Sequence, residues 1–251
     1  MHRRPPPLGR SRHRAGAPAG EWGGRRGNGV PGALSLRALV FDFDGLILET
    51  ERPDYQSWRE VYQEHGQDLT MEVWGDVIGR GASYFDPYRE LVAKLGHDLD
   101  RETVLNRRKA RHNEMIAELE VLPGVRDAVA EAARLGLRLG VASSSSRSWV
   151  TGHLARLGLE RFECVRCRDD VANTKPDPGL YLSVCACLGV APGDAVALED
   201  SANGIAAAKA AGMRCVAIPN PMTAGLDLSA ADLRIESLAD VSVAELLERL
   251  A

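Results

Sequence analysis

From Pro123 onward the chain alternates short apolar runs with segments of helical periodicity, and most of the apolar runs end in a cluster of polar residues. Helices are predicted over Val125 to Leu135, Ser148 to Leu157, Pro178 to Leu188 and Asn203 to Ala211, with a last one from Val243. The strands between them are Leu137 to Ala142, a short one near Phe162 to Val165, Ala195 to Leu198, and Arg214 to Ile218. An earlier apolar run, Arg37 to Phe41, reads as a buried parallel strand. Strands alternating with helices of this length join by right-handed crossovers, so the expected class is α/β: a doubly wound, parallel, Rossmann-like sheet.

Between Thr50 and about Glu120 the strand signal disappears. Trp58, Val61 and Tyr62 recur at i, i+3 and i+4, the spacing of one helix face. The expected organisation is therefore a core of residues 35–51 and 119–251, with an inserted α-helical cap domain over 52–118. Residues 1–34 are set apart by composition. The first thirty hold seven Arg, no Lys and the single acid Glu21 among many Gly and Pro, which predicts a disordered basic extension.

That extension carries +6 in a chain of −4, leaving −10 on residues 31–251. An acidic folded part argues against nucleic acid or an anionic membrane as its partner. No stretch approaches the roughly 18 apolar residues of a membrane span. No apolar run follows the basic start, which argues against secretion, and five cysteines without a regular disulfide framework make a reducing cytoplasm the expected setting. The five cysteines, Cys164, Cys167, Cys185, Cys187 and Cys215, fit no regular disulfide framework and are read as small buried fillers.

In a doubly wound sheet, ligands bind outside the carboxyl ends of the strands, where the strand order reverses. Four polar clusters fall at those ends. Asp42 and Asp44 follow the first strand, with Gly45 to let the backbone bend. One carboxylate of such a pair can attack phosphorus while the other protonates the leaving oxygen and later activates water. Ser143 to Ser146 follow the second strand just ahead of a helix, where hydroxyls and free N–H groups cradle phosphate. Ser143 and Ser144 are the candidates for that task, and Ser146 is read as the helix cap. Lys175, stiffened by Pro176 and Pro178, can neutralise a transferring phosphoryl group. Glu199 and Asp200 end the fourth strand, and carboxylates gathered this closely call for a hard cation such as magnesium.

The order acid pair, hydroxyl, lysine, acid pair resembles the haloacid-dehalogenase-like superfamily, in the branch whose helical cap follows the first motif. The resemblance covers about Leu36 to Ala251 and rests on four motifs: Phe41 to Glu51, Val141 to Ser145, Lys175 to Pro178, and Leu198 to Ile205. It implies Asp42 as nucleophile and Asp44 as general acid/base. Magnesium would be held by Asp42, the Asp44 carbonyl and Asp200, with Glu199 supporting it from behind or through water. Ser143 and Lys175 would bind phosphate. Glu49 stands where the family usually has a shorter acid.

Within the superfamily, dehalogenases and phosphonatases lack the second acid of the first motif, whereas Asp44 is present here. The expected activity is therefore hydrolysis of a small phosphorylated metabolite through an aspartyl-phosphate. The alternative is a beta-phosphoglucomutase-like phosphomutase. Such mutases carry a hinge histidine twelve residues after the nucleophile, where this chain has Asp54, and an arginine near Ala82. A phospho-sensor of the receiver type would put its acid on a middle strand and have no cap. In the cap, Arg80 is a candidate for the substrate's non-reacting part, and one of Arg107, Arg108 and Lys109 for closing over phosphate.

Overall fold

A computed structural model describes residues 36–75 and 85–251. They lie in a unit running from Leu34 to Ala251; the expected basic extension and Arg80 fall outside the described residues.

The sheet has six strands: β1 (Ala38–Phe41), β2 (Arg138–Ala142), β3 (Cys164–Arg166), β4 (Ala195–Glu199), β5 (Arg214–Ala217) and β6 (Leu233–Arg234). Their order is β3-β2-β1-β4-β5-β6, and every pair is parallel. This is the expected doubly wound class. From β1 the chain first builds outward through β2 to β3, then returns to the other side of β1 with β4. The reversal point therefore lies between β1 and β4. The two-residue edge strand β6 was not expected, being too short to show a period.

Alternation along the strands decides what covers each face. Leu39 and Phe41 of β1, Leu139 and Val141 of β2, and Val196 and Leu198 of β4 point to one side. There they meet α5 (Val125–Arg134), α6 (Arg147–Arg156) and α9 (Val243–Arg249). Ala38, Val40, Ala142, Ala195, Ala197, Cys215 and Ala217 point to the other. Their small side chains let α7 (Gly179–Leu188) and α8 (Ala202–Ala210) sit close. Two faces of buried side chains are why these strands read as continuous apolar runs.

The segment after β1 is helical as expected: α1 (Glu51–Glu64), α2 (Met71–Gly75), α3 (Pro87–Leu95) and α4 (Arg101–Ala117). It has a cluster of its own, in which Tyr55, Trp58, Val61, Tyr62, Leu69, Trp74, Tyr88 and Leu91 are buried together. The predicted face of Trp58, Val61 and Tyr62 is the buried face of α1.

One cysteine expectation is corrected. Cys164 on β3 and Cys187 on α7 form a disulfide with Cα atoms 6.2 Å apart, and only Cys167, Cys185 and Cys215 are free and buried. The pairing escaped the sequence because it depends on α7 lying over β3, not on spacing. Among the described residues, no helix is long and apolar enough to cross a membrane.

Candidate active site

The parallel register brings the strand ends level. Phe41 lies opposite Val141 on one side and Leu198 on the other, so Asp42, Ser143 and Glu199 all emerge at the same edge. Asp42 N–H donates to the Leu198 carbonyl at 3.0 Å, which ties the loop after β1 to the end of β4.

Lys175 arrives from the loop between β3 and α7. Its Nζ donates to Asp42 Oδ1 at 2.5 Å and to Glu199 Oε1 at 2.6 Å. Asp42, Glu199 and Asp200 are all buried, and each offers a carboxylate oxygen within 4.8 Å of the others. Three buried acids against one lysine leave an uncompensated negative charge. The electrostatics follow from that. Burial pushes the Asp42 carboxyl up to about 7; Lys175 opposes the shift and Glu199 adds to it. Burial also raises Asp200, with Asp42 and Glu199 reinforcing it. Lys175 is disfavoured by burial, yet Asp42 and Glu199 hold its ammonium above the ordinary lysine value.

Glu199 is fully engaged within the protein. Oε1 accepts from Lys175 and from the Tyr181 hydroxyl at 2.5 Å, and Oε2 accepts from the Ser201 hydroxyl at 3.2 Å. Gly204 packs against that carboxylate so tightly that a Cβ there would come within 2.0 Å of it. Asp200 Oδ2 accepts from Asn220 Nδ2 at 2.8 Å, and the same amide donates to the Gly45 carbonyl at 3.0 Å. Gly45 has φ +87°, and a Cβ on it would stand 2.1 Å from Asp200 Oδ2. A residue without a side chain is required at that position for two independent reasons.

Asp44 faces a different set of partners. Oδ1 accepts from the Thr50 hydroxyl at 3.0 Å and from the Trp149 indole N–H at 2.9 Å. Oδ2 accepts from the Ser145 hydroxyl at 2.7 Å and the Ser143 hydroxyl at 3.3 Å. Ser143 is fully buried, and its Oγ also accepts from the Ser145 N–H. Ser144 is exposed on the cavity wall. Ser146 caps α6, accepting from the Trp149 N–H.

Asp42, Asp44, Thr50, Ser144, Ser145, Trp149, Lys175 and Asp200 line a cavity of about 590 Å³ whose other walls include Glu51, Asp54, His112, Arg168, Thr174 and Asn203. The basic run of α4 is engaged by acids of α1, and the partner of Arg108 is the cavity-wall residue Asp54. Arg108 is paired with Asp54, donates to Ser57 Oγ at 2.9 Å and lies over the Trp58 ring; Arg107 pairs with Glu64 at 2.7 Å; Lys109 is exposed. Glu49 accepts from the Arg52 N–H at 2.9 Å, so the longer acid serves the start of α1.

Several residues at the site were not anticipated. Asn220 lies just past the fifth strand, an end that carried no charged pair to draw notice. Glu51 faces the cavity with its carboxyl raised to about 7 by burial, Asp44 and Glu49 adding to the effect. Tyr181 and Trp149 were read only as helix residues; helical spacing cannot show that their polar ends turn toward acids.

The donor set suits a hard divalent cation: three buried carboxylates, with no His or Cys among the clustered ligands of the described residues.

Known proteins are similar to this chain over most of its length. YhcW of Bacillus subtilis (strain 168), which carries a phosphatase designation, is 44% identical over 216 residues, covering 86% of this chain and 98% of its own. A phosphorylated carbohydrates phosphatase of Thermotoga maritima is 33% identical over 184 residues, covering 71% of this chain and 82% of its own. The crystal structure of CbbY from Rhodobacter sphaeroides in complex with phosphate matches with a TM-score of 0.64 at 30% identity, over 84% of this chain and 99% of that one. With the family model matching residues 39–218, and with relatives of this similarity along nearly their whole length, the chain belongs to the haloacid dehalogenase-like hydrolases.

Proposed function

We propose that the protein is a magnesium-dependent phosphatase that hydrolyses a small phosphorylated metabolite of the sugar-phosphate kind through a phosphorylated Asp42. The observation that carries this reading is the contact of Lys175 with Asp42 at the reversal point of the sheet, beside Asp200 and Glu199. The phosphatase designation of YhcW and the carbohydrate-phosphate specificity named for the Thermotoga relative support it.

Asp42 attacks phosphorus, forming a P–O bond to its carboxylate as the bond from phosphorus to the leaving oxygen breaks. Asp44 gives its proton to that oxygen. It then takes a proton from water, which attacks the acyl phosphate and frees Asp42 and inorganic phosphate. Lys175 neutralises charge on the nucleophile and the phosphoryl oxygens. Ser143, Ser144 and the N–H groups ahead of α6 receive the phosphate, and Ser143 Oγ also accepts from the Ser145 N–H within the turn. Asp42, the Asp44 carbonyl and Asp200 would hold magnesium, which when bound offsets the carboxylates and draws charge from the transferring phosphoryl group. Glu199, fully hydrogen-bonded, fixes Lys175 and supports the metal from behind.

The segment 52–118 acts in this reading as a cap over the cavity; Arg80, the candidate for the substrate's non-reacting part, lies outside the described residues. Asp54, where the mutases have a hinge histidine, is occupied by Arg108, which favours release of phosphate to water over its return to a sugar. The test is a panel of hexose and hexitol phosphates, glycolate phosphate and nucleotides, with magnesium, scored for inorganic phosphate and for isomerised sugar. Phosphate release that Asp42→Asn abolishes is the expected result. Turnover retained by Asp42→Asn refutes the nucleophile, and isomerisation without net release replaces the phosphatase by a mutase.

A further inference from the structure

Asp44 is the acid of the proposed reaction, yet its carboxylate is not held by core strands alone. One of its four donors is the indole of Trp149, from the first turn of α6, at 2.9 Å. The same indole meets the helical segment: the His112 ring of α4 stacks on it with centroids 5.9 Å apart and planes 18° apart. His153, one turn further along α6, packs edge-on against it at 4.4 Å. Trp149 and His112 both border the cavity. An indole has a single polar atom, a donor, so its aim is fixed once the ring plane is fixed. Here the plane is clamped between a ring of the core and a ring of the helical segment.

We propose that Trp149 is a positioning residue for Asp44, and that the stack with His112 transmits the seating of the helical segment to the acid that protonates the leaving group. This deepens the phosphatase reading above and rests on it. The three hydroxyl donors, Thr50, Ser143 and Ser145, can rotate away as the carboxyl moves. The indole cannot, so it defines where Asp44 Oδ1 stands when the cavity is covered. Trp149 was visible in the sequence only as a helical residue after a serine run. Its meaning appears when α4 is laid beside α6.

The probes are two aryl esters of similar shape, p-nitrophenyl phosphate and phenyl phosphate. Nitrophenolate leaves readily without a proton, whereas phenolate, a stronger base, needs the acid. Comparing kcat/KM isolates phosphorylation of Asp42, before water enters. Replacing Trp149 by Phe keeps a ring for His112 and deletes the N–H. We expect kcat/KM for phenyl phosphate to fall about 10- to 100-fold further than that for p-nitrophenyl phosphate, the range of one hydrogen bond to a charged group. His112→Ala should shift the same ratio in the same direction, and His112→Phe, which restores the stack, should return it to within about twofold of wild type.

An equal fall for both esters in Trp149→Phe overturns the inference, since a structural or substrate-contact role would not sense leaving-group basicity. So does a ratio unmoved by His112→Ala. If Trp149→Phe does not fold, the His112 pair alone decides. Wild-type protein that releases phosphate from neither ester overturns the reading of the site itself, a different outcome from an unchanged ratio.

Discussion

Replacing Lys175 by Met removes the charge between Asp42 and Glu199 and little else. The two side chains are similar in volume, so the cavity contribution is small and electrostatics decide the outcome. Breaking a buried ion pair by deleting one partner costs about 3–5 kcal/mol, because the remaining charge is left without a counterion. Lys175 has two such partners, 2.5 and 2.6 Å away, and its side chain is 5% exposed. The loss is limited because Asp42, already pushed up to about 7, can take a proton near neutral pH instead of standing charged. The lower end, about 3 kcal/mol, is therefore expected, and for a protein of this size it corresponds to a fall in Tm of roughly 6–12 °C. Magnesium should bring the variant back to nearly the stability of the wild type in EDTA. A ligand at about 100 times its Kd stabilises by about 2.7 kcal/mol, nearly the whole deficit. Melting curves in EDTA and in millimolar magnesium, for wild type and Lys175→Met, measure both quantities, and phosphate release from the variant should be abolished. A variant melting within about 2 °C of wild type in EDTA would show that the carboxylates are not the charged, buried cluster described.

Gly45→Ala would place a Cβ 2.1 Å from Asp200 Oδ2 at φ +87°. It should cost at least about 2 kcal/mol and abolish the magnesium-dependent shift in Tm, since Asp200 must move; a shift equal to wild type would mean Asp200 holds no metal. Alkylation of denatured, unreduced protein should modify three cysteines, rising to five after reduction; five from the start would rule out the Cys164–Cys187 bond. His112 is lowered to about 4 by burial, with Arg108 adding to it, against about 6.5 in an unfolded chain. The unfolded state takes up the proton first, so the stability involved is complete above pH 6.5 and is lost as pH falls toward 4. Urea unfolding at pH 7 and pH 5 should show a smaller loss for His112→Gln than for wild type; equal losses would refute the burial of His112.

Much of the fold could be read from the sequence because the inner strands β1, β2, β4 and β5 are buried on both faces. Continuous apolar runs such as Ala195 to Leu198 have one explanation in an α/β alternation, and the predicted boundaries there differ from the observed ones by a residue or two. β6 was lost for the opposite reason: two residues on a sheet edge carry neither period nor a sustained apolar run. The disulfide was lost because a tertiary pairing between a strand and the helix crossing it leaves no mark in spacing.

The candidate site divides along the same line. Residues contributed by strand ends were legible, since a polar side chain directly after a buried run must emerge at the sheet edge whatever the rest of the chain does. That argument finds Asp42, Ser143, Glu199 and Asp200 with no knowledge of packing. It cannot find residues aimed at the site from helices. Tyr181 reaches Glu199 only because α7 lies on the face of small side chains that includes Ala38, Val40 and Cys215, close enough for a phenol to span the gap. Trp149 reaches Asp44 only because α6 starts immediately beyond the serine turn. The acids that would carry the chemistry are thus set by the sheet, whereas the groups that orient them are set by how closely each helix packs. Substitutions that move a helix without touching an acid, such as enlarging an alanine under α7, should therefore weaken turnover while leaving the carboxylate cluster in place.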